Sequence, residues 1–90
     1  MSEKYTSVWD ALEDDPVKAE NMKLRSILLI AVTEYIKSNN LKQAQVAKAL
    51  GITQPRVSAL CQGKIDMFRL DTLVDFAHKL GLNVKLEVAA

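Results

Sequence analysis

Residues 43–62 read QAQVAKALGITQPRVSALCQ, and the apolar positions of this stretch predict two short helices that cross steeply around a tight turn. Val46 and Leu50 lie one helical turn apart and are expected to face the core. Ala47 is small, as a position must be where a second helix passes close over the first. Gly51 marks the turn, because a backbone conformation unfavourable for other residues is expected there.

The second half of the stretch continues the same pattern. Ile52 is placed to fill the corner between the helices, and Thr53 can cap the second helix. Pro55 is tolerated in a first helical turn, where its missing N–H leaves no hydrogen bond broken. Val57 and Leu60 are then expected to bury the inner face of the second helix.

The outer face of the second helix is left with small or hydrogen-bonding side chains and no acid. These are Gln54, Pro55, Arg56, Ser58, Ala59 and Gln62. An acidic side chain there would repel phosphate, whereas glutamine pairs with adenine and arginine with guanine through two hydrogen bonds each, worth roughly 1–3 kcal/mol of discrimination per good pair. The composition of this face suits the major groove of DNA.

Upstream of this stretch, the sequence predicts a long amphipathic helix over residues 16–38. Asp14 and Asp15 stand before it, and an aspartate can cap the free backbone N–H groups at the start of a helix, while Pro16 suits the first helical position. Asn39 and Asn40 are expected to end it, because asparagine tolerates the left-handed conformation. Apolar residues recur along it at steps of three and four: Leu24, Ile27, Leu28, Ala31, Val32, Tyr35 and Ile36.

Downstream, one more helix is predicted, and after it the spacing of apolar residues changes from a helical to a two-residue period. The helix is marked by Leu70, Leu73, Val74, Ala77 and Leu80, and Gly81 closes it. Next, Leu82, Val84, Leu86 and Val88 alternate with polar residues, as in a strand with one buried face. An isolated strand is not stable, so it needs a partner. We favour the same strand of a second copy, paired antiparallel about a two-fold axis; the alternatives are pairing with residues 5–9 and a helical or frayed tail.

Length and charge predict one domain of residues 14–90 preceded by an acidic arm of residues 1–13. The 90 residues carry a net charge of +1, but this charge is unevenly distributed. Residues 1–22 hold two basic and six acidic side chains, whereas residues 23–90 hold ten basic and five acidic ones. A basic body suits a nucleic-acid partner, although moderately basic helical domains are common. No apolar run approaches the roughly 18 residues of a membrane span. We therefore expect a soluble, cytoplasmic protein.

Few residues suit metal binding or catalysis. Cys61 is the single cysteine, so no internal disulfide can form, and we interpret it as a half-buried packing residue. With His78 as the single histidine, no metal-ligand set of recognised spacing exists. There is no paired nucleophile and base and no glycine-rich phosphate loop. The prediction is a protein without cofactor or metal that is not an enzyme.

The stretch LKQAQVAKALGITQPRVSALCQGK (residues 41–64) resembles, without a gap, the helix-turn-helix of the XRE family of Cro/cI-type repressors. Its flanks, SVWDALEDDPVKAENMKLRS (7–26) and MFRLDTLVDFAHKLGLNVKLEV (67–88), are similar to the HigA-type antitoxin branch of that family. The resemblance implies an all-α, lambda-repressor-like fold. Together with the elements read from the sequence, the prediction is a domain of four to five helices with a C-terminal strand paired across a dimer.

The resemblance also implies roles for single residues. Base-reading positions of the family correspond to Gln54, Pro55, Arg56 and Ala59. Phosphate-contacting positions correspond to Gln43, Thr53, Ser58, Gln62, Lys64 and Arg69. Two departures stand out, since Lys42 replaces the usual Ser or Thr cap of the first motif helix, and Cys61-Gln62 replaces a frequent Glu-Asn pair.

The function that follows is that of a homodimeric repressor that binds an inverted repeat in DNA and serves as the antitoxin of a toxin–antitoxin pair that controls its own operon. The alternatives are a stand-alone XRE-family regulator and a protein-interaction module that binds DNA weakly. In the arm, Val8, Trp9 and Leu12 are candidates for a segment that binds a toxin. The other interpretation is that Trp9 packs on its own domain or across the dimer.

Overall fold

The computed structural model describes residues 15–90, and over this range the chain forms four α-helices and one short 3-10 helix. The α-helices are α1 (Pro16–Ser38), α2 (Gln43–Leu50), α3 (Gln54–Cys61) and α4 (Leu70–Lys79), and the 3-10 helix (Ile65–Met67) lies between α3 and α4. The predicted all-helical fold is confirmed. None of these helices is long and apolar enough to span a membrane. Val8, Trp9 and Leu12 lie outside the described residues.

The ends of α1 follow the capping residues in its sequence. The Asp15 carboxylate accepts a hydrogen bond from the Val17 N–H at 2.9 Å, and Pro16 occupies the first turn. At the other end Asn40 has a φ of 52°, and the N–H of Leu41 donates to the carbonyl of Ile36 at 3.0 Å. This left-handed termination satisfies carbonyls that the last turn leaves free, and both predicted bounds of α1 are confirmed.

The core lies where α1 crosses α4 and where α2 packs against α3. Its buried apolar residues are Leu29, Val32, Ile36, Val46, Ala47, Leu50, Val57, Ala59, Leu60, Phe68, Leu73, Phe76 and Ala77. From α1 only Leu29, Val32 and Ile36 are buried. The prediction that Ile27 and Ala31 share this buried face is wrong, since both are exposed, Ile27 by 56%. At 100° per residue, Ile27 points away from the stripe that contains Val32 and Ile36.

The turn between α2 and α3 depends on Gly51. Its φ is 71°, in the left-handed region, and the N–H groups of Gly51 and Ile52 both donate to the carbonyl of Ala47, at 2.8 and 3.0 Å. A Cβ at position 51 would meet no atom within 4 Å. The preference for glycine is therefore conformational rather than a matter of space. Val46 and Leu50 are buried on one side of α2, as predicted.

The C-terminal segment departs from the prediction. α4 ends through Gly81, after which the N–H of Leu82 donates to the carbonyl of Ala77 at 2.8 Å. Residues 82–90 form neither helix nor strand, so the predicted strand is absent from the single chain. The physical reason is that a strand requires a hydrogen-bonding partner, and between residues 15 and 90 the chain offers no other strand. The apolar side chains Val84, Leu86 and Val88 are 44%, 80% and 87% exposed.

Candidate nucleic-acid interface

The beginning of α3 combines a capping threonine with two exposed side chains. Thr53 has extended backbone angles, and its Oγ1 accepts a hydrogen bond from the N–H of Arg56 at 3.3 Å. This bond satisfies one of the N–H groups that the first turn leaves free. Gln54 and Pro55 follow and are exposed. The first turn of α3 therefore presents a long amide side chain and an apolar ring to solvent.

The beginning of α2 is capped by a residue that the sequence analysis did not single out. Lys42 occupies the cap position and provides no side-chain acceptor, but Oε1 of Gln45 accepts a hydrogen bond from the N–H of Lys42 at 2.8 Å. This is one half of a capping box, in which Glu or Gln three residues after the cap folds back. The glutamine three residues after the cap position is visible in the sequence and could have predicted this helix start. The result is an ordered helix start at which Gln43 is exposed.

Along the rest of α3, the predicted outer residues divide into two groups. Ser58 is half-buried and Gln62 is exposed, and Nε2 of Gln62 donates to Oγ of Ser58 at 3.0 Å. Ala59 was predicted to lie on the outer face and read a base, but it is only 7% exposed and packs in the core. Because a buried methyl group cannot reach a base edge, Ala59 is not part of the exposed face.

Arg56 is not extended into solvent as the sequence predicts for a base-reading side chain. Its NH2 donates to the carbonyl of Met67 at 3.3 Å, and its guanidinium carbon lies 4.6 Å from the ring centroid of Phe68. A cation over the face of a desolvated ring is attracted by the ring's negative charge density. Arg56 thus connects α3 to the segment between α3 and α4. Contact with a base would require it to leave both partners.

The segment after α3 adds two cations near the same helix. Lys64 and Arg69 are exposed on either side of the 3-10 helix. The Arg69 guanidinium lies 3.9 Å from the Asp71 carboxylate, but both side chains are more than 80% exposed. Such an exposed pair contributes little to stability and leaves Arg69 available to a phosphate.

The charge distribution of this part of the chain favours an anionic partner. Residues 35–65 contain no Asp or Glu, and they include all of α2 and α3. Their five basic residues are Lys37, Lys42, Lys48, Arg56 and Lys64. A stretch with cations and without acids attracts phosphates over a distance set by the ionic strength.

Cys61, at the end of α3, is exposed, so the prediction that it is half-buried is wrong. Partial burial nevertheless raises the pKa of the Cys61 thiol above its ordinary value, and the nearby charge of Lys37 opposes this only in part. A raised pKa keeps the thiol protonated, and the thiolate is the reactive form. The direction of this shift does not indicate a reactive cysteine.

The contacts of Arg56 predict a loss of stability when they are removed. We expect Arg56→Met, which keeps the length of the side chain, to lower the free energy of unfolding by about 1–2 kcal/mol, the sum of a hydrogen bond and a cation–π contact. Urea denaturation followed by circular dichroism measures this change. Gln54→Met, an exposed change on the same helix, serves as the control and should lie within about 0.5 kcal/mol of the original protein. Equal stability of the two variants would contradict the role of Arg56 as a link.

Comparison with known proteins agrees with this geometry. Residues 11–89 match a family described as a helix-turn-helix domain. The chain is also similar to a solved structure described as an XRE-family transcriptional regulator, with 32% sequence identity and a TM-score of 0.75. That match covers 81% of this chain and 82% of the other. No curated protein matches the sequence.

Proposed function

Since the chain belongs to the XRE family of helix-turn-helix proteins and is a DNA-binding transcriptional regulator, we propose that it represses transcription by placing α3 in the major groove of a specific site. The observation that carries the proposal is the exposed, acid-free start of α3, where Gln54 and Pro55 stand beside the capping Thr53. Helix-turn-helix proteins read base edges with the N-terminal residues of their second helix. The exposure of these residues at the start of α3 supports direct readout of base edges by this helix.

In this proposal, Gln54 reads a base through its amide, and Pro55 makes an apolar contact such as one with a thymine methyl group. Arg56 reads a base only after it leaves Met67 and Phe68, so its contribution requires a rearrangement of the free protein. Contacts with phosphate orient the helix without sequence information. The side chains proposed for them are Gln43, Thr53, Ser58, Gln62, Lys64 and Arg69.

We also propose that the protein binds DNA as a homodimer through residues 82–90. The exposed apolar side chains of Val84, Leu86 and Val88 alternate with polar ones, which supports antiparallel pairing of this segment with that of a second copy. Two α3 helices related by a two-fold axis enter successive major grooves about 34 Å apart. The DNA site is then an inverted repeat.

The biological role that we propose is that of an antitoxin that represses its own operon. It is supported by the similarity of residues 7–26 and 67–88 to HigA-type antitoxins. The test is to express the product of the neighbouring reading frame, as the candidate toxin, with and without this chain, and to measure whether the cells stop growing. Relief of growth arrest and co-purification of the two proteins would support the role, and a gene without such a neighbour would favour a stand-alone regulator.

Single substitutions distinguish base readout from phosphate contact. We expect Gln54→Ala to weaken binding to the preferred sequence by roughly 5- to 150-fold and to relax the preference at one base pair, as the loss of one bidentate contact does. Lys64→Ala should weaken binding to all sequences alike and lower the salt dependence by about one phosphate contact. Gel-shift titration at several salt concentrations, with a site selected from random DNA, measures both effects.

Lys23→Ala provides the control, because Lys23 is an exposed cation on α1, outside the two helices of the helix-turn-helix. Its affinity should equal that of the original protein. If no DNA is selected or shifted even at low salt, repression by direct binding is wrong. If Gln54→Ala weakens all sequences equally, α3 does not read bases through this residue.

A further inference from the structure

The N-terminal half of α1 extends beyond the core, and one of its sides continues the side that is buried further along the helix. Met22 and Arg25 precede the buried Leu29 and Val32 by seven residues, or two turns, and therefore lie on the same side of the helix. Between Pro16 and Leu28, however, α1 buries no residue. This continuation forms a groove, here called the α1 groove, lined by Val17, Lys18, Asn21, Met22 and Arg25.

The α1 groove combines apolar and cationic side chains. Val17 is 75% exposed and Met22 half-buried, so apolar surface remains accessible. Lys18 and Arg25 line it, and none of its lining residues within the described range 15–90 is acidic. Nε of Arg25 donates to Oδ1 of Asn21 at 2.8 Å, which fixes the orientation of the guanidinium. An occupant of this groove should therefore be apolar and negatively charged.

The first 14 residues have this composition and join α1 at the end of the groove. They contain four acids and one base, and the chain passes from them directly into Asp15 and α1. Their largest apolar residues, Tyr5, Val8, Trp9 and Leu12, follow the spacing i, i+3, i+4, i+7, which would place them on one side of a helix.

The length of this segment allows it to reach the groove. The ten residues from 5 to 14 cover about 15 Å as a helix, and more wherever they are extended. The groove from Val17 to Arg25 covers nine residues of helix, or about 13 Å. A segment that turns back at residues 14–15 can therefore pass along the whole groove and place Trp9 beside Met22.

We propose that residues 5–14 fold back along α1 and occupy the α1 groove. Trp9 packs against the thioether of Met22, a favourable contact between sulfur and an aromatic ring. The acidic side chains Asp10 and Glu13 face Lys18 and Arg25. The opposite side of α1, with Ile27 and Ile30, is left exposed. Any partner that binds the arm must first displace it from α1.

Trp9 is the only tryptophan of the chain, so its fluorescence reports on the arm alone. The experiment measures acrylamide quenching and emission wavelength of the full chain over a series of protein concentrations. The expected result is quenching several-fold weaker than that of free N-acetyltryptophanamide, and the same at every concentration. Arg25→Glu and Lys18→Glu should each raise quenching toward the free value, whereas Lys23→Glu, an equal change of charge on the other side of α1, should not.

Circular dichroism of each variant establishes that the helices are retained, and Lys18→Glu, at an exposed position, keeps the test valid if Arg25→Glu unfolds. Quenching equal to that of the free amide at all concentrations would overturn the proposal. Protection that appears only at concentrations where the protein self-associates would overturn it in favour of a second copy as the occupant. Equal effects of Lys23→Glu and Lys18→Glu would also overturn it. None of these measurements requires DNA, so their outcome is independent of the proposed repression.

Discussion

Phe68→Ala is expected to lower the free energy of unfolding by about 3–5 kcal/mol, the cost of truncating a buried phenylalanine. Phe68 is fully buried, although it lies outside the α-helices. Its ring centroid is 6.0 Å from that of Phe76 in an edge-on arrangement at 66°, and its face carries the guanidinium of Arg56. The substitution removes the contact between α3 and α4 through this ring. Because small domains have a total stability of about 5–15 kcal/mol, much of the population should unfold on mild heating.

Urea denaturation followed by circular dichroism measures this loss. The matched control is Met67→Ala, since Met67 is the neighbouring residue, is 47% exposed and keeps the backbone carbonyl that Arg56 contacts. It should cost far less than Phe68→Ala. In the double variant Arg56→Met/Phe68→Ala, the two losses should not add, because both substitutions remove the same contact. A loss below about 1 kcal/mol for Phe68→Ala would show that this ring does not hold α3 and α4 together.

The helices could be predicted from the sequence because short-range interactions determine their ends. Asp15 and Pro16 begin α1, Asn40 ends it, and Thr53 begins α3. Each of these effects depends on residues within about one turn, and such a pattern is visible in the sequence itself. The helix-turn-helix was predicted for the same reason, since Gly51 and the buried Val46, Leu50, Val57 and Leu60 occur within 15 residues.

The contacts of Arg56 could not be predicted in this way. They join positions 11 and 12 residues apart, across the end of α3 and the 3-10 helix, and no periodicity links them. From the sequence, Arg56 is one more polar residue of an outer face. Ala59 was misplaced for a related reason: its side chain is small enough for either face, and the close approach of neighbouring elements decides that it is buried.

The C-terminal segment shows a different limit of sequence analysis. The alternation of Leu82, Val84, Leu86 and Val88 predicts a strand, but the pattern does not supply the partner. In the single chain Leu82 is half-buried against the core, and residues 83–90 are exposed. The sequence pattern of a strand and the absence of a strand from the single chain are compatible if the segment pairs with a second molecule.

Deletion of residues 83–90 is therefore expected to abolish dimerisation and to weaken binding to an inverted repeat by about 10²- to 10⁴-fold, the usual gain from linking two binding units. The deletion begins after Leu82, whose N–H completes the end of α4, so the monomer should keep its helices. Sedimentation equilibrium measures the mass in solution, and gel shift measures affinity for a full site and for a half-site. The truncated chain should bind both with the same weak affinity.

Two substitutions test whether the deletion acts by removing the paired segment or only by shortening the chain. Val84→Lys and Leu86→Lys place charges on the apolar side and should also yield monomers, since a desolvated charge has no partner in such an interface. Glu87→Ala alters the other side and should leave the dimer intact, because that side of a two-stranded ribbon stays in water. If the truncated chain still sediments as a dimer, the dimer contact lies elsewhere. If the full-length chain is monomeric in solution but still shifts an inverted repeat, the two copies meet only on DNA. In the first case the apolar alternation of residues 82–88 would not be the cause of dimerisation, and in the second it would not be sufficient for dimerisation in solution.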